Sequence, residues 1–185
     1  MLNPAPFVIR RDWATGREAE VHSDPLSFQY CNLGLPAIRR AIMNTVEYLA
    51  RCHCGALTAR YRTAIDPAAW AMRACQCSFC RSHGAETTSD PSGLLTFRSG
   101  DPTRVQRYRF AGRTADFLIC RECGVFVGAQ RTTDKGRIGV LNVLSFRPPI
   151  PGLPATVPMD YGAETREIRR LRREARWTPL SAESI

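Results

Sequence analysis

Seven of the eight cysteines in this 185-residue chain fall into three tight groups: Cys52-His53-Cys54-Gly55, Cys75-Gln76-Cys77-Ser78-Phe79-Cys80 and Cys120-Arg121-Glu122-Cys123-Gly124. Thiolates at such spacing suit a tetrahedral ion, and zinc held by sulfurs at about 2.3 Å is their usual partner. Disulfides are the competing use. They gain little here, because cysteines two or three residues apart close very short loops at the risk of strain. The start of the chain argues the same way. Met1-Leu2-Asn3-Pro4-Ala5-Pro6 has no basic stretch, and Phe7-Val8-Ile9 runs into Arg10, Arg11 and Asp12, which is not the form of a secretory leader. A cytoplasmic, reducing setting is therefore expected, in which clustered cysteines bind metal.

Two cysteines followed by glycine make a knuckle, the glycine letting the backbone turn sharply beside the sulfurs. The first and third groups share that form and combine into one closed site of Cys52, Cys54, Cys120 and Cys123. Cys75, Cys77 and Cys80 come from a single turn and leave a fourth zinc position open, as reactive sites do. A rival partition joins Cys77 and Cys80 with Cys120 and Cys123 as a zinc ribbon, leaving Cys52, Cys54 and Cys75 idle. Spacing favours the first partition, with two zinc ions per chain. Three thiolates outweigh the charge of zinc, so the open site suits a substrate thiol better than the activation of water. A thiol in the fourth position loses its proton and becomes a nucleophile for an aldehyde carbon.

Around these groups, other residues carry weaker signals. His53 lies inside the first knuckle, its side chain expected to point away from the metal. His83 and Glu86 follow the open group and are candidate proton carriers, against a plainer reading as surface-turn residues. Arg73, Arg81 and Arg121 are candidate clamps for substrate carboxylates, against solvated positions. Cys31 stands alone and reads as a free thiol.

The elements that must position the cysteines are short strands. Residues 55–62 alternate apolar and polar, and 94–97, 105–110, 117–120 and 125–128 follow as further strands. Ile138 to Phe146 reads as a last apolar strand. Asp66-Pro67, Asp90-Pro91-Ser92-Gly93 and Ser99-Gly100-Asp101-Pro102 supply turns. The middle of the chain is thus a mainly β domain. A short amphipathic helix is expected from Pro36 through Ile38, Ile42 and Val46. Residues 1–45 form an N-terminal extension, and the part ahead of Met43 can be an overlong reading of the start. Residues 148–185 are a proline-rich connector and a basic helical tail. The helix spans Glu164 to Arg176, with Ile168, Leu171 and Ala175 as a narrow apolar stripe.

Over residues 46–147, Ala50-Arg51-Cys52-His53-Cys54-Gly55-Ala56, Cys75-Gln76-Cys77-Ser78-Phe79-Cys80-Arg81 and Phe117-Leu118-Ile119-Cys120-Arg121-Glu122-Cys123-Gly124 resemble the glutathione-dependent formaldehyde-activating enzyme family, whose domain centromere protein V shares. The resemblance implies a β-tent fold of short antiparallel strands around zinc knuckles, here followed by a short C-terminal helix. It assigns Cys52, Cys54, Cys120 and Cys123 to a structural zinc, and Cys75, Cys77 and Cys80 to a second, catalytic zinc. The implied activity is that of a carbon–sulfur lyase, joining glutathione to formaldehyde as S-hydroxymethylglutathione. Asn142 stands where family members often carry an aspartate.

Charge and composition bound the alternatives. The hydrophobic fraction of 44% and charged fraction of 23% are those of a globular protein. No run approaches the roughly 20 apolar residues of a membrane helix, so no membrane partner is expected. The net charge of +9 rests on arginine, with Lys135 the one lysine. That charge suggests the alternative of a non-catalytic zinc module binding a protein or nucleic acid. The favoured partner is a small thiol such as glutathione; oligomeric state is not specified.

Overall fold

The computed structural model describes residues 45–185. The expectations for Cys31, for an N-terminal extension and for most of a helix begun at Pro36 lie outside the described residues. Val46, the end of that helical pattern, opens a strand instead. Its pairing with Thr63 places it in a ladder, and tertiary pairing overrides the local period.

In chain order the elements are β1 (Val46–Arg51), β2 (Thr58–Thr63), β3 (Arg73–Cys75), α1 (Ser78–Ser82), β4 (Thr87–Thr88), β5 (Leu94–Arg98), β6 (Val105–Tyr108), β7 (Asp116–Cys120), β8 (Phe126–Thr133), β9 (Gly136–Asn142), β10 (Val157–Met159), α2 (Arg166–Arg176) and β11 (Thr178–Pro179). Strands β1, β2 and β5 form a three-stranded antiparallel sheet. The order β10-β3-β4-β9-β8-β7-β6 makes the larger sheet, with β11 added to β9. Among the described strand pairs only β10–β3 is parallel, and an isolated bridge between Leu95 and Leu180 is parallel as well. The fold is mainly β, built from short antiparallel strands with one short C-terminal helix.

Period-2 patterning explains the smaller sheet. Ala59, Tyr61 and Thr63 on β2 point inward and are buried, while Arg60 and Arg62 point out. Inside, Trp70 meets Tyr48 and Tyr61 edge-on at 4.9 and 5.3 Å and tilts over Phe146 at 5.4 Å. Leu57, Leu95, Phe97, Leu118 and Leu141 complete this core without exposure. Each such side chain contributes about 1.5–3 kcal/mol by leaving water.

The strand read as Ile138 to Phe146 ends earlier, at Asn142. The Asn142 amide accepts from the Leu144 N–H at 3.3 Å and donates to the Phe126 carbonyl at 2.9 Å, turning the chain into a 3-10 segment over Val143–Ser145. Nor is β9 the last strand. Residues after Arg147 run back along the domain as β10 and β11. The chain then lies on β5, with the Ser181 N–H donating to Leu95 at 2.9 Å and the Ile185 N–H to Phe97 at 3.0 Å.

Helix α2 forms within the span the sequence gives it, starting at Arg166 rather than Glu164. Thr165 caps it by accepting from the Ile168 N–H at 3.2 Å, and Arg170 bridges Glu167 and Glu174 on its outer side. Its packing is the reverse of the apolar pattern. Ile168 and Leu171 are each 52% exposed, whereas Arg169, Arg172 and Arg173 turn toward the protein. Their partners are protein groups: Glu164 and the Tyr161 ring for Arg172, Thr114 and the Trp177 ring for Arg173. Long arginine stems can cover apolar surface while their heads find acceptors.

Candidate metal centres

Two turns of similar construction bring the first and third cysteine groups together. In each, a cysteine N–H donates to a carbonyl five residues on: Cys52 to Leu57 at 2.9 Å, and Cys120 to Val125 at 3.0 Å. Inside each loop a glycine adopts positive φ, +82° at Gly55 and +72° at Gly124, which a side chain would resist. Cys52 directly follows β1 of the smaller sheet, and Cys120 ends β7 of the larger one. The Sγ atoms of Cys52, Cys54, Cys120 and Cys123 all lie within 4.8 Å of one another. Cys54 Sγ is 3.6 Å from that of Cys52 and 3.5 Å from that of Cys120.

The second group is local. Cys75 ends β3, Cys77 caps α1 by accepting from the Cys80 N–H at 3.5 Å, and Cys80 is buried within that helix. Their three Sγ atoms also lie within 4.8 Å of one another. Cys75 and Cys77 remain half-buried, so this group can be reached from solvent.

Both donor sets fit zinc. A tetrahedron with zinc–sulfur bonds of about 2.3 Å has sulfur–sulfur edges of about 3.8 Å. The separations around Cys54 are close to that edge, and neither group contains a disulfide. The thiols already share protons unevenly. Burial pushes Cys52 up to about 12 and raises Cys120. Cys123 is also raised by burial, but N–H donors from Cys54 and Val125 outweigh this and hold it at about 6. In the second group Cys80 donates to Cys75, which lowers Cys75 to about 6 and raises Cys80. A thiolate with thiols directed at it is the electrostatic setting a cation would enter, displacing the remaining protons.

Of the other residues singled out, His53 is exposed and belongs to neither sulfur cluster. His83 closes α1, its ring 4.2 Å from that of Phe79 and its Nδ1 2.8 Å from the Phe79 carbonyl oxygen. The Glu86 carboxylate accepts from Thr156 Oγ1 at 2.8 Å. Arg81 and Arg121 are exposed. Arg73 is different: it lies two residues before Cys75 on β3, so the two side chains share a face of the strand. Tyr161, Arg172 and Arg176 approach the same region. The spacing of 169, 172, 173 and 176 was the available signal for an inward arginine stripe.

A family model described as glutathione-dependent formaldehyde-activating enzyme matches residues 47–146. The chain belongs to this family. Among solved structures, a protein from Rhodobacter sphaeroides is similar at 30% identity, with 60% of this chain and 97% of that one covered and a TM-score of 0.45. No curated protein matches the chain. The family match takes in all seven clustered cysteines and ends before β10, α2 and β11. Among the described residues, no helix is long and apolar enough to cross a membrane.

Proposed function

We propose that the protein is a zinc-dependent enzyme of the carbon–sulfur lyase type, joining a thiol such as glutathione to formaldehyde or a related aldehyde. The observation that carries this reading is the pairing, in one member of the family, of a four-sulfur group with a separate, half-buried group of three. In this reading Cys52, Cys54, Cys120 and Cys123 hold a structural ion, and Cys75, Cys77 and Cys80 hold a second beside a free coordination position. Zinc there supplies, when bound, a positive centre that favours the thiolate form of a substrate.

The chain's own residues do the rest. Cys75, Cys77 and Cys80 come from one rigid turn, with Cys80 anchored among Ala85, Phe126 and Trp177. A substrate sulfur at their open side attacks the aldehyde carbon as the thiol gives up its proton. The carbon–sulfur bond forms, the carbonyl π pair moves to oxygen, and that oxygen takes a proton. No redox partner is required. Metal quantitation should give two zinc ions per chain, and cobalt replacing zinc should change its thiolate charge-transfer absorption when a thiol is added. One equivalent or none, even after zinc supplementation, would remove the two-site reading. A full complement of metal with no response to any thiol would favour the binding-module alternative, whose nucleic-acid affinity should fall steeply with salt.

A further inference from the structure

The inward face of α2 is cationic, and its Arg172 and Arg176 lie within electrostatic range of Arg73 on the strand that carries Cys75. Strand β10 runs parallel to β3 with Met159 opposite Cys75, so Tyr161 emerges just past that cysteine. The Gln76 N–H donates to the Met159 carbonyl at 2.9 Å, fixing this junction. Arg172 sits 3.6 Å over the Tyr161 ring and is paired with Glu164 at 2.6 and 2.8 Å. Its charge lies within electrostatic range of Cys75. One turn further, Arg176 is on the same side of the helix as Arg172. The Arg176 carbonyl accepts from Ser89 Oγ at 2.6 Å, and Arg73 donates to that same Ser89 oxygen.

These cations are poorly neutralised. Glu164 is committed to Arg169 and Arg172, and Glu174 to Arg131 and Arg170. Arg73, Arg173 and Arg176 have no ion-pair partner among the described residues. Arg73 is half-buried and lies within electrostatic range of Arg172 and Arg176. Burial together with Arg172, Arg169 and Arg131 lowers Arg173 to about 10. Such a set of guanidinium groups is stabilised by an incoming anion, and their planar forks suit a carboxylate.

We propose that Arg73 on β3, with Arg172 and Arg176 on α2, forms a carboxylate-binding site beside the Cys75, Cys77 and Cys80 group, so that the segment after residue 146 selects thiols that carry a carboxylate. This rests on the function proposed above. The sulfur would lie at the cysteine group while the carboxylate is held by the arginines, which act as positioning residues. Discrimination against neutral thiols then comes from leaving Arg73 and Arg176 unpaired.

The test uses the zinc-loaded full chain and S-methylglutathione, which keeps both carboxylates but has no free thiol. Calorimetric titration should show binding that weakens at least about tenfold in Arg176→Gln, whose exposed side chain has little folding role. Arg176→Lys should recover part of the loss, and Arg60→Gln, on the outer face of β2, should change nothing. Added salt should weaken binding. Absence of binding, or equal affinity in all variants, overturns the arginine site. A parallel titration of cobalt-substituted protein with neutral 2-mercaptoethanol judges the function separately. A spectral response with a flat S-methylglutathione titration defeats the clamp alone. Silence toward glutathione as well as 2-mercaptoethanol, with arginine-dependent S-methylglutathione binding, defeats the thiol chemistry and leaves the anion site standing.

Discussion

The four-cysteine and three-cysteine groups use the same side chain in opposite structural settings. The first joins distant segments: Cys52 and Cys54 follow β1, while Cys120 and Cys123 follow β7 in the other sheet. Cys52 and Cys120 are fully buried and belong to the main core. The second is contained within residues 75–80, on a three-residue strand and a five-residue helix, and only Cys80 is buried. An ion in the first group would close a connection across the fold. An ion in the second would close only a turn already formed by backbone bonds. The difference teaches that ligand separation along the chain, more than ligand number, decides how far metal binding is coupled to folding.

The largest expected effect comes from breaking the first group. Cys120→Ser or Cys54→Ser should leave the chain poorly folded, since structural zinc contributes on the order of 10 kcal/mol in small domains. Cys77→Ser should lose one metal equivalent and keep the fold. Circular dichroism and metal analysis on the three variants check this together. Equal loss of structure in all of them would erase the contrast.

A smaller effect should come from Asn142→Ala. Asn142 lies opposite Thr87 of β4, the strand that joins β9 to β3. Its amide also satisfies the Phe126 carbonyl and caps the following turn. Removing these contacts should cost about 1–3 kcal/mol. Denaturant unfolding gives the magnitude. If the two groups are separate, chelators should then strip the second metal faster with little change at the first.

The smallest effect sharpens the comparison without a mutation. In metal-free protein at pH 7, Cys75 should be alkylated before Cys80, and Cys123 before Cys52. Cys75 and Cys123 are held at about 6, below the ordinary thiol value of 9.0, and so are mostly thiolate at pH 7. A lowered folded value contributes stability above pH 9 that is lost as pH falls through about 6. Mass spectrometry of partially alkylated protein reads the order. Preferential modification of Cys80 or Cys52 would contradict it.

Local pattern carried a large part of this protein. The knuckles depend on cysteines and glycines a few residues apart, β2 on alternation within one strand, and β5, β6 and β7 on short runs between turn residues, so each was legible from neighbours in sequence. Strands β3, β4, β10 and β11 have two or three residues each, too few for a period to show. They exist because distant partners complete their ladders, as Arg73 meets Thr87 on one side and Val157 on the other. The helix after Glu164 makes the division sharpest. Its extent followed from composition to within two residues at the start, but its orientation did not. Ile168, Leu171 and Ala175 made only a narrow apolar stripe, the pattern of a solvated helix with local Glu/Arg pairs, yet Glu164, Tyr161, Thr114 and Trp177 offered the arginines better partners than water. Which face of α2 turns inward was settled by those tertiary contacts: the arginines at 169, 172, 173 and 176 recur at helical spacing, but the acceptors and ring faces that draw them inward lie elsewhere in the chain.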